Sequence, residues 1–294
     1  MITNPYCLLP NAYCLKFRPK GEIFMIKLFV SDIDGTIFDS TKSKNISARN
    51  IAAVQKMVAA GITVTIATGR MYGAALPIAK ELGVNVPIIT YDGALIKSVE
   101  GEILHSEFLT PEIILAVTNF FEKKNWYLQN YSEDNLYCAF ANDLTALYEK
   151  SIKVKCNVVG WEGMKNLTKD VCKLLAITHS AEETFEIISA LRKEFAGKIE
   201  VTKSHPQFAE IIPYGVSKAA AVKILAEKLG VEKSEVMAIG DSENDLPMLQ
   251  AAGQSVAMGN ADDKIKAACT FVTGNCAEDG FADAVENFVF GGKV

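Results

Sequence analysis

Long apolar runs and an excess of basic residues are both missing from this chain of 294 residues. No apolar run reaches the roughly 18 residues that predict a membrane-spanning helix. The formal net charge of −5 argues against a general nucleic-acid binder, which would carry a basic bias. We therefore expect neither a membrane nor a nucleic acid among its partners.

Cysteine and histidine patterns typical of disulfide or metal frameworks are also missing. The chain has seven cysteines, an odd number, and no two of them are spaced as C-x-x-C. This disfavours a disulfide framework and a zinc site, and it fits a reducing cytoplasm. The phosphate-loop pattern G-x-x-x-x-G-K and the dinucleotide pattern G-x-G-x-x-G do not occur. The three histidines show neither metal-site nor triad spacing; they are His105, His179 and His205.

Residues 1–24 differ from the sequence that follows them. Their basic residues come after a short apolar patch, whereas a secretory signal peptide has them before an apolar core. The regular pattern of apolar residues begins only at Met25. We therefore predict that residues 1–24 form a poorly ordered N-terminal extension.

From Met25 onward, short apolar strands alternate with amphipathic helices. Ser47 and Gly61 are typical of the start and the end of the first helix. The second helix contains Pro77, which we expect to kink or shorten it. A turn at Asp92–Gly93 interrupts the third strand. Strands that alternate with helices predict a doubly wound, Rossmann-like parallel sheet.

This alternation breaks off in the middle of the chain. Residues 96–205 mix helices with aromatic-rich strands, and the alternating pattern returns after them. We therefore predict an α/β core domain in two parts, residues 25–95 and 206–294. Between them, residues 96–205 are predicted to form an inserted α+β domain.

Polar residues follow three of the predicted core strands. Asp32 and Asp34 follow the first strand, Thr68 the second and Asp241 a later one. The carboxyl ends of such strands meet at one crevice. Alternate residues of extended chain point to the same side, so Asp34 can join Asp32 there unless the turn at Gly35 rotates it. Three acidic side chains predict a site for a hard divalent cation, for which Mg²⁺ is the best match.

These groups together suit phosphoryl transfer. One carboxylate can attack phosphorus and form an aspartyl-phosphate, while a second exchanges protons with the leaving group and with water. Mg²⁺ and a lysine offset the repulsion between carboxylate and phosphate, and Lys218, at a predicted helix start, is the candidate lysine. Thr68, Gly69 and the amides after them can bind phosphate oxygens.

Several stretches resemble the motifs of the haloacid dehalogenase superfamily, and specifically its Cof-type, or class IIB, phosphatases. The resemblance covers nearly everything from Met25 onward and implies that the inserted domain is a cap over the active site. One departure is Asp92, where relatives usually carry asparagine. The matching stretches are DIDGT at 32–36, ATGR at 67–70, Lys218, GDSENDLPM at 240–248, AMGNA at 257–261 and EDGF at 278–281.

The resemblance implies a role for each matching residue. Asp32 is expected to be the nucleophile and Asp34 the general acid and base. Mg²⁺ is expected to bind Asp32, the backbone carbonyl of Asp34, and Asp241. Asp245 is expected to orient the metal site or Lys218 indirectly. The residues expected to hold the phosphate are Thr68, Gly69, Lys218 and Asn244.

Simpler explanations exist for parts of this set. An EF-hand loop that starts at Asp32 would need glycine and glutamate where the chain has Ile37 and Ser43, so that explanation fails. Asn244 and Asp245 could equally well cap the helix that follows them.

The sequence leaves open the substrate, the cap residues that set specificity, and the choice between monomer and homodimer. Two alternative functions remain: a sugar phosphomutase, and a phosphometabolite-binding regulator without turnover. The prediction that fits the complete set of residues is a cytoplasmic, Mg²⁺-dependent phosphatase. Its substrate is expected to be a small phosphorylated metabolite, and a sugar phosphate foremost.

Overall fold

The computed structural model describes residues 16–17, 23–39 and 45–291. The predicted extension, residues 1–24, lies outside the described residues except for two short strands that pair antiparallel. Within the described part of the chain, every helix is too short or too polar to span a bilayer.

Strands and helices account for most of the described residues. The strands are β1 Lys16–Phe17, β2 Ile23–Phe24, β3 Leu28–Ser31, β4 Thr63–Ile66, β5 Ile88–Thr90, β6 Leu95–Lys97, β7 Ile103–Ser106, β8 Gln129–Ser132, β9 Asn135–Cys138, β10 Cys156–Val158, β11 Lys173–Ile177, β12 Ile199–Thr202, β13 Phe208–Pro213, β14 Val236–Gly240, β15 Gln254–Ala257 and β16 Phe271–Val272. The α-helices are α1 Ala48–Ala59, α2 Tyr72–Leu82, α3 Pro111–Lys124, α4 Asp143–Ile152, α5 Gly160–Asn166, α6 Ala181–Glu194, α7 Lys218–Leu229, α8 Leu246–Ala251, α9 Asp263–Ala268 and α10 Gly280–Ala284.

A five-stranded parallel sheet in the order β16-β15-β14-β3-β4 forms the centre of the core. Both of its faces are covered. On β3, Phe29 packs into the apolar cluster that contains Met57 of α1 and Phe281 of α10. Val30, its neighbour, packs into the other cluster, with Leu225 of α7. This arrangement confirms the predicted doubly wound parallel fold.

A second sheet, in the order β10-β9-β8-β11-β13-β12, forms the centre of the inserted α+β cap. Its pairs are antiparallel except for β9 with β10. Helices α3, α5 and α6 contribute to the apolar cluster behind it. A small antiparallel sheet, β5-β6-β7, follows the first core strands. Strand β13 joins the cap sheet although it follows residue 205, and the domain boundaries given above stay predictions.

The helix caps predicted from the sequence are present, and the cap of α7 positions Lys218. The Ser217 side chain accepts a hydrogen bond from the Ala220 N–H, so α7 begins at Lys218. Gly230, in the left-handed conformation, ends this helix. The predicted cap at Ser47 is confirmed in the same way, because its side chain accepts from the Asn50 N–H.

Pro77 does not shorten α2, which was one of the two expected effects. The helix runs from Tyr72 to Leu82 with Pro77 inside it. Proline removes one backbone donor, whose acceptor would be the Gly73 carbonyl four residues earlier. Both Pro77 and Gly73 are exposed, so water can replace the missing hydrogen bond.

Replacing Phe29 with alanine should destabilise the core strongly. Its ring is fully buried and lies edge to face with the Phe281 ring, with centroids 5.9 Å apart. We expect a loss of about 3–5 kcal/mol in the free energy of unfolding, measured by denaturant titration. Phe185→Ala is the matched control, because Phe185 is 73% exposed and its loss should cost about 0.5 kcal/mol or less. Equal losses in the two variants would contradict the packing described.

Candidate active site

Three carboxylates meet at the carboxyl ends of the core strands. Asp32 directly follows β3, Asp241 directly follows β14, and Asp245 lies just before α8. Each offers an oxygen atom within 4.8 Å of the others. Asp32 and Asp245 are buried, so their charges need compensation within the protein.

Lys218 supplies part of that compensation. Its Nζ donates to Asp32 Oδ1 at 2.6 Å and to Asp245 Oδ1 at 2.7 Å, and the side chain is almost fully buried. Burial disfavours the ammonium, but the two carboxylates outweigh it and raise the pKa of Lys218 above its usual range. Lys218 is therefore charged, and it connects the end of strand β3 to the loop before α8.

Asp245 orients this loop and does not cap the next helix. Its Oδ2 accepts from the backbone N–H groups of Asp241 and Ser242, each at 3.0 Å. It makes no side-chain hydrogen bond to the first amides of α8. Since its other oxygen bonds Lys218, Asp245 is engaged by protein donors on both oxygens.

Asp241 lies in a crowded, mostly polar setting. Its oxygens accept from Thr36 Oγ1 at 3.3 Å, Ser242 Oγ at 3.2 Å and Asn260 Nδ2 at 3.1 Å. Burial, with the nearby Asp245 charge, raises the pKa of Asp241 to about 7. Gly35 has a φ of +78°, and a Cβ there would come within 2.3 Å of the Asp241 carboxylate. Only glycine allows this close approach.

The chemistry of this cluster fits a divalent cation. Three carboxylates face one ammonium, which leaves two negative charges uncompensated. Burial, with repulsion from Asp245, raises the pKa of Asp32 well above its usual range even though Lys218 opposes the shift. Carboxylate oxygens are the ligands that Mg²⁺ prefers. Asp245 is held by two backbone N–H groups and Lys218, whereas Asp241 accepts from side-chain hydroxyls and an amide, so Asp32 and Asp241 are the better candidates for metal ligands.

Asp34 lies in a different environment from Asp32. Two hydrogen bonds from the Arg70 guanidinium, at 2.7 and 2.6 Å, hold its carboxylate. Its side chain is 44% exposed, whereas that of Asp32 is 7% exposed. The turn at Gly35 thus leaves the two aspartates with separate cationic partners, which suits two separate chemical tasks.

Of the four residues predicted to hold phosphate, Lys218 and Asn244 line a common cavity, whereas Thr68 and Gly69, like Asp32, are not part of its lining. Thr68 is buried, and its hydroxyl accepts from the Arg70 N–H at 3.2 Å. A Cβ on Gly69 would lie 3.1 Å from the Asp92 carboxylate. The Asn244 side chain donates to that carboxylate at 2.8 Å. Asp92, Lys218 and Asn244 line one cavity of about 320 Å³.

Sequence reasoning assigned no role to three groups that the structure places here. Arg70 stands in the quoted ATGR stretch, and Asn260 stands in AMGNA, where it bridges Asp241 and the Gly35 carbonyl. Their motif positions were signals that could have found them. Lys173 of the cap donates to the Gly69 carbonyl, and its place in an apolar strand gave no comparable signal.

A doubly wound core, an inserted cap and an aspartate–lysine cluster at the strand ends define a phosphoryl-transfer hydrolase. Residues 29–285 match the family model for haloacid dehalogenase-like hydrolases, and the chain belongs to that family. It is a phosphatase, a phosphoric monoester hydrolase of the haloacid dehalogenase type.

Relatives of known name or structure cover most of the chain. The 5-amino-6-(5-phospho-D-ribitylamino)uracil phosphatase YcsE of Bacillus subtilis is 31% identical, over 90% of this chain and 96% of its own. A haloacid dehalogenase-like hydrolase from Bacteroides thetaiotaomicron is 30% identical, with a TM-score of 0.80 over 90% of this chain and 99% of its own. The subclass IIB sugar phosphatase BT4131 is 27% identical, with a TM-score of 0.78 over 89% and 98%.

Replacing Asp241 with asparagine should stabilise the cation-free protein and remove its response to Mg²⁺. The pKa of Asp241 is raised to about 7 in the folded protein, because its charged form is disfavoured there. The free energy of unfolding should therefore fall as pH rises from about 4 to 7. Asparagine removes that charge, and the Thr36 and Ser242 hydroxyls can accept from its amide. At pH 8 in chelator, the variant should melt a few degrees above the unmodified protein.

Adding Mg²⁺ separates the two effects. Magnesium should raise the melting temperature of the unmodified protein and leave that of Asp241→Asn unchanged. Glu227→Gln, which removes an exposed charge on α7, should respond to Mg²⁺ like the unmodified protein. An undiminished Mg²⁺ shift in Asp241→Asn would exclude Asp241 as a metal ligand.

Proposed function

We propose that this chain is a Mg²⁺-dependent phosphatase of small phosphomonoesters, sugar phosphates foremost, which works through an aspartyl-phosphate on Asp32. The observation that carries the proposal is the buried pair of Asp32 with Lys218, beside Asp241 and apart from the Arg70-bound Asp34. The likeness to a sugar phosphatase of subclass IIB supports the substrate class.

In the first step, a carboxylate oxygen of Asp32 attacks phosphorus and the bond between phosphorus and the sugar oxygen breaks. Asp34, as general acid, gives a proton to the departing alkoxide. The Lys218 ammonium, 2.6 Å from Asp32, reduces the repulsion between this carboxylate and the incoming phosphoryl group. The products of this step are a free sugar and a phosphorylated Asp32.

In the second step, the Asp34 carboxylate takes a proton from water and the water oxygen attacks phosphorus. The bond between phosphorus and Asp32 breaks, which releases phosphate and restores both aspartates. The two bonds from Arg70 aim the Asp34 carboxylate during this step. One residue thus serves as acid and then as base.

The remaining groups bind and orient the substrate. A divalent cation bound by Asp32, the Asp34 backbone carbonyl and Asp241 would withdraw charge from the phosphoryl oxygens. Thr68, Gly69, Lys218 and Asn244 would hold the phosphate, and Asp245 would keep Lys218 in place.

The insert at residues 96–205 is proposed to act as the cap that excludes water and selects the leaving group. Two contacts support its docking on the core. Lys173 of the cap donates to the Gly69 carbonyl. Asp134, between β8 and β9, accepts from the Gly73 N–H at 3.0 Å and from the Tyr91 hydroxyl at 2.5 Å. A cytoplasmic location stays a prediction.

The proposal predicts release of free phosphate from a hexose phosphate. Chelation should abolish turnover, Mg²⁺ should restore it, and Ca²⁺ should restore it poorly because it favours more ligands in looser geometry. Phosphate and sugar products are measured separately, so a phosphomutase would be recognised by an isomeric sugar phosphate. Asp32→Asn is the control for contaminating enzymes and should lose several orders of magnitude of activity. Full activity in excess chelator would contradict the proposal.

Asp34→Asn should respond differently to two kinds of substrate. A sugar alkoxide needs a proton to leave, whereas a nitrophenolate does not, so only the aryl phosphate should still phosphorylate Asp32. Hydrolysis of the aspartyl-phosphate should then stall. Rapid-quench kinetics should show a burst of about one phenolate per enzyme, followed by slow turnover. Equal losses on both substrates with no burst would assign the acid and base roles elsewhere.

A further inference from the structure

Asp92 connects the cap to the proposed phosphate pocket. It lies in the turn between β5 and β6, with a φ of +57°, and is 1% exposed. One of its oxygens, Oδ1, accepts from Asn244 of the core, and the other, Oδ2, lies 3.9 Å from Nζ of Lys173 in the cap. Asp92 thus stands between one residue of the core and one of the cap.

Charge around this residue favours its ionised form. Burial, the largest influence, opposes the charge of Asp92, but the Lys173 ammonium, together with the contacts of Asp92 to Glu210, Lys218 and Asn244, outweighs it and lowers the pKa of this carboxyl. Glu210, whose Oε1 lies 3.6 Å from Lys173, is the second carboxyl near that ammonium. Burial, with the Asp92 charge, raises the pKa of Glu210 to about 8. Lys173 thus lies between two buried carboxyl groups, and Asp92 is the one that also contacts the core through Asn244.

The hydrogen bond to Asp92 fixes the orientation of the Asn244 carboxamide. Asn244 Nδ2 donates to an anionic oxygen at 2.8 Å, so an exchange of its oxygen and nitrogen would place two acceptors against each other. Asn244 is 6% exposed and lines the same cavity as Lys218. Its Oδ1 has no hydrogen-bond partner among the described residues. Nδ2 carries a second hydrogen, so the amide held by Asp92 can still donate to a phosphoryl oxygen, whereas its Oδ1 can only accept.

We propose that Asp92 is a positioning residue: it orients the Asn244 carboxamide for the phosphoryl group, and Lys173 of the cap holds Asp92 in place. This inference rests on the proposed function, in which Asn244 binds phosphate. Asp92 stands where relatives usually carry asparagine. The carboxylate should hold Asn244 more firmly than an asparagine would, because an anionic acceptor makes a stronger hydrogen bond than a neutral one.

The test measures the affinity for inorganic phosphate by calorimetry, with Mg²⁺ present. Asp92→Gly removes the acceptor, and glycine adopts a φ of +57° without strain. We expect the dissociation constant to rise at least about fivefold, the cost of one hydrogen bond. For a sugar phosphate and an aryl phosphate, kcat/KM should fall by the same factor, because both present the same phosphoryl group. A change in selectivity between them would overturn the proposal in favour of contact with the leaving group.

Two further variants separate positioning from general damage. Asp92→Asn keeps an oxygen towards Asn244 and should restore most of the phosphate affinity that Asp92→Gly loses. A loss in Asp92→Asn as large as in Asp92→Gly would show that charge, and not orientation, is what matters. Lys173→Met leaves the turn at Asp92 intact and should also weaken phosphate binding; unchanged affinity would remove the cap from the proposal.

A double-mutant cycle gives the sharpest outcome. In an Asn244→Ala background, Asp92→Gly should have no further effect on phosphate affinity, because Asp92 acts through Asn244. Additive losses would overturn the inference while leaving the proposed function intact. An unmodified protein that neither binds phosphate nor hydrolyses phosphomonoesters would overturn both.

Discussion

The hydrogen bonds of Lys218 to Asp32 and Asp245 are the interaction on which the site depends. Without this ammonium, three carboxylates could not gather at the ends of parallel strands without a large electrostatic cost. Asp245 then holds the backbone of the loop that carries Asp241. A single buried cation therefore sets the positions of two acidic side chains from different strands. The charge that it leaves uncompensated makes this cluster suited to a divalent cation.

Separate partners for Asp32 and Asp34 explain how neighbouring aspartates can differ in chemistry. Asp32 is buried against an ammonium, where its charge is disfavoured by its surroundings. Asp34 is half exposed and held by the planar guanidinium of Arg70, which fits a carboxylate with two bonds. The cap adds contacts on the loop that holds Gly69 and Arg70, through Lys173. The cap is thus in direct contact with the loop that carries Gly69 and Arg70.

Much of the fold and the acidic cluster could be predicted from the sequence, because both follow from local rules. Strand ends in a parallel sheet meet at one edge, so Asp32 and Asp241 had to lie close together. Ser217, a helix-capping residue, marked where α7 begins and so placed Lys218. Residues whose role depends on docking of the cap could not be predicted from such local rules. Lys173 lies 104 positions from Gly69, and a lysine in an apolar strand is not a local signal. Of the two effects expected of Pro77, shortening of α2 does not occur, because exposure to water decides what a lost helix hydrogen bond costs.

The most direct test of the account is to find which residue carries the phosphoryl group during turnover. Enzyme mixed with Mg²⁺ and a sugar phosphate is quenched in acid within one turnover, digested, and its peptides are sequenced by mass spectrometry. The account predicts one phosphoryl group on Asp32 in the peptide that also contains Asp34, and none in Asp32→Asn. A phosphoryl group on Asp34 or on any other residue, or phosphate release with no phosphorylated peptide at any quench time, would contradict it.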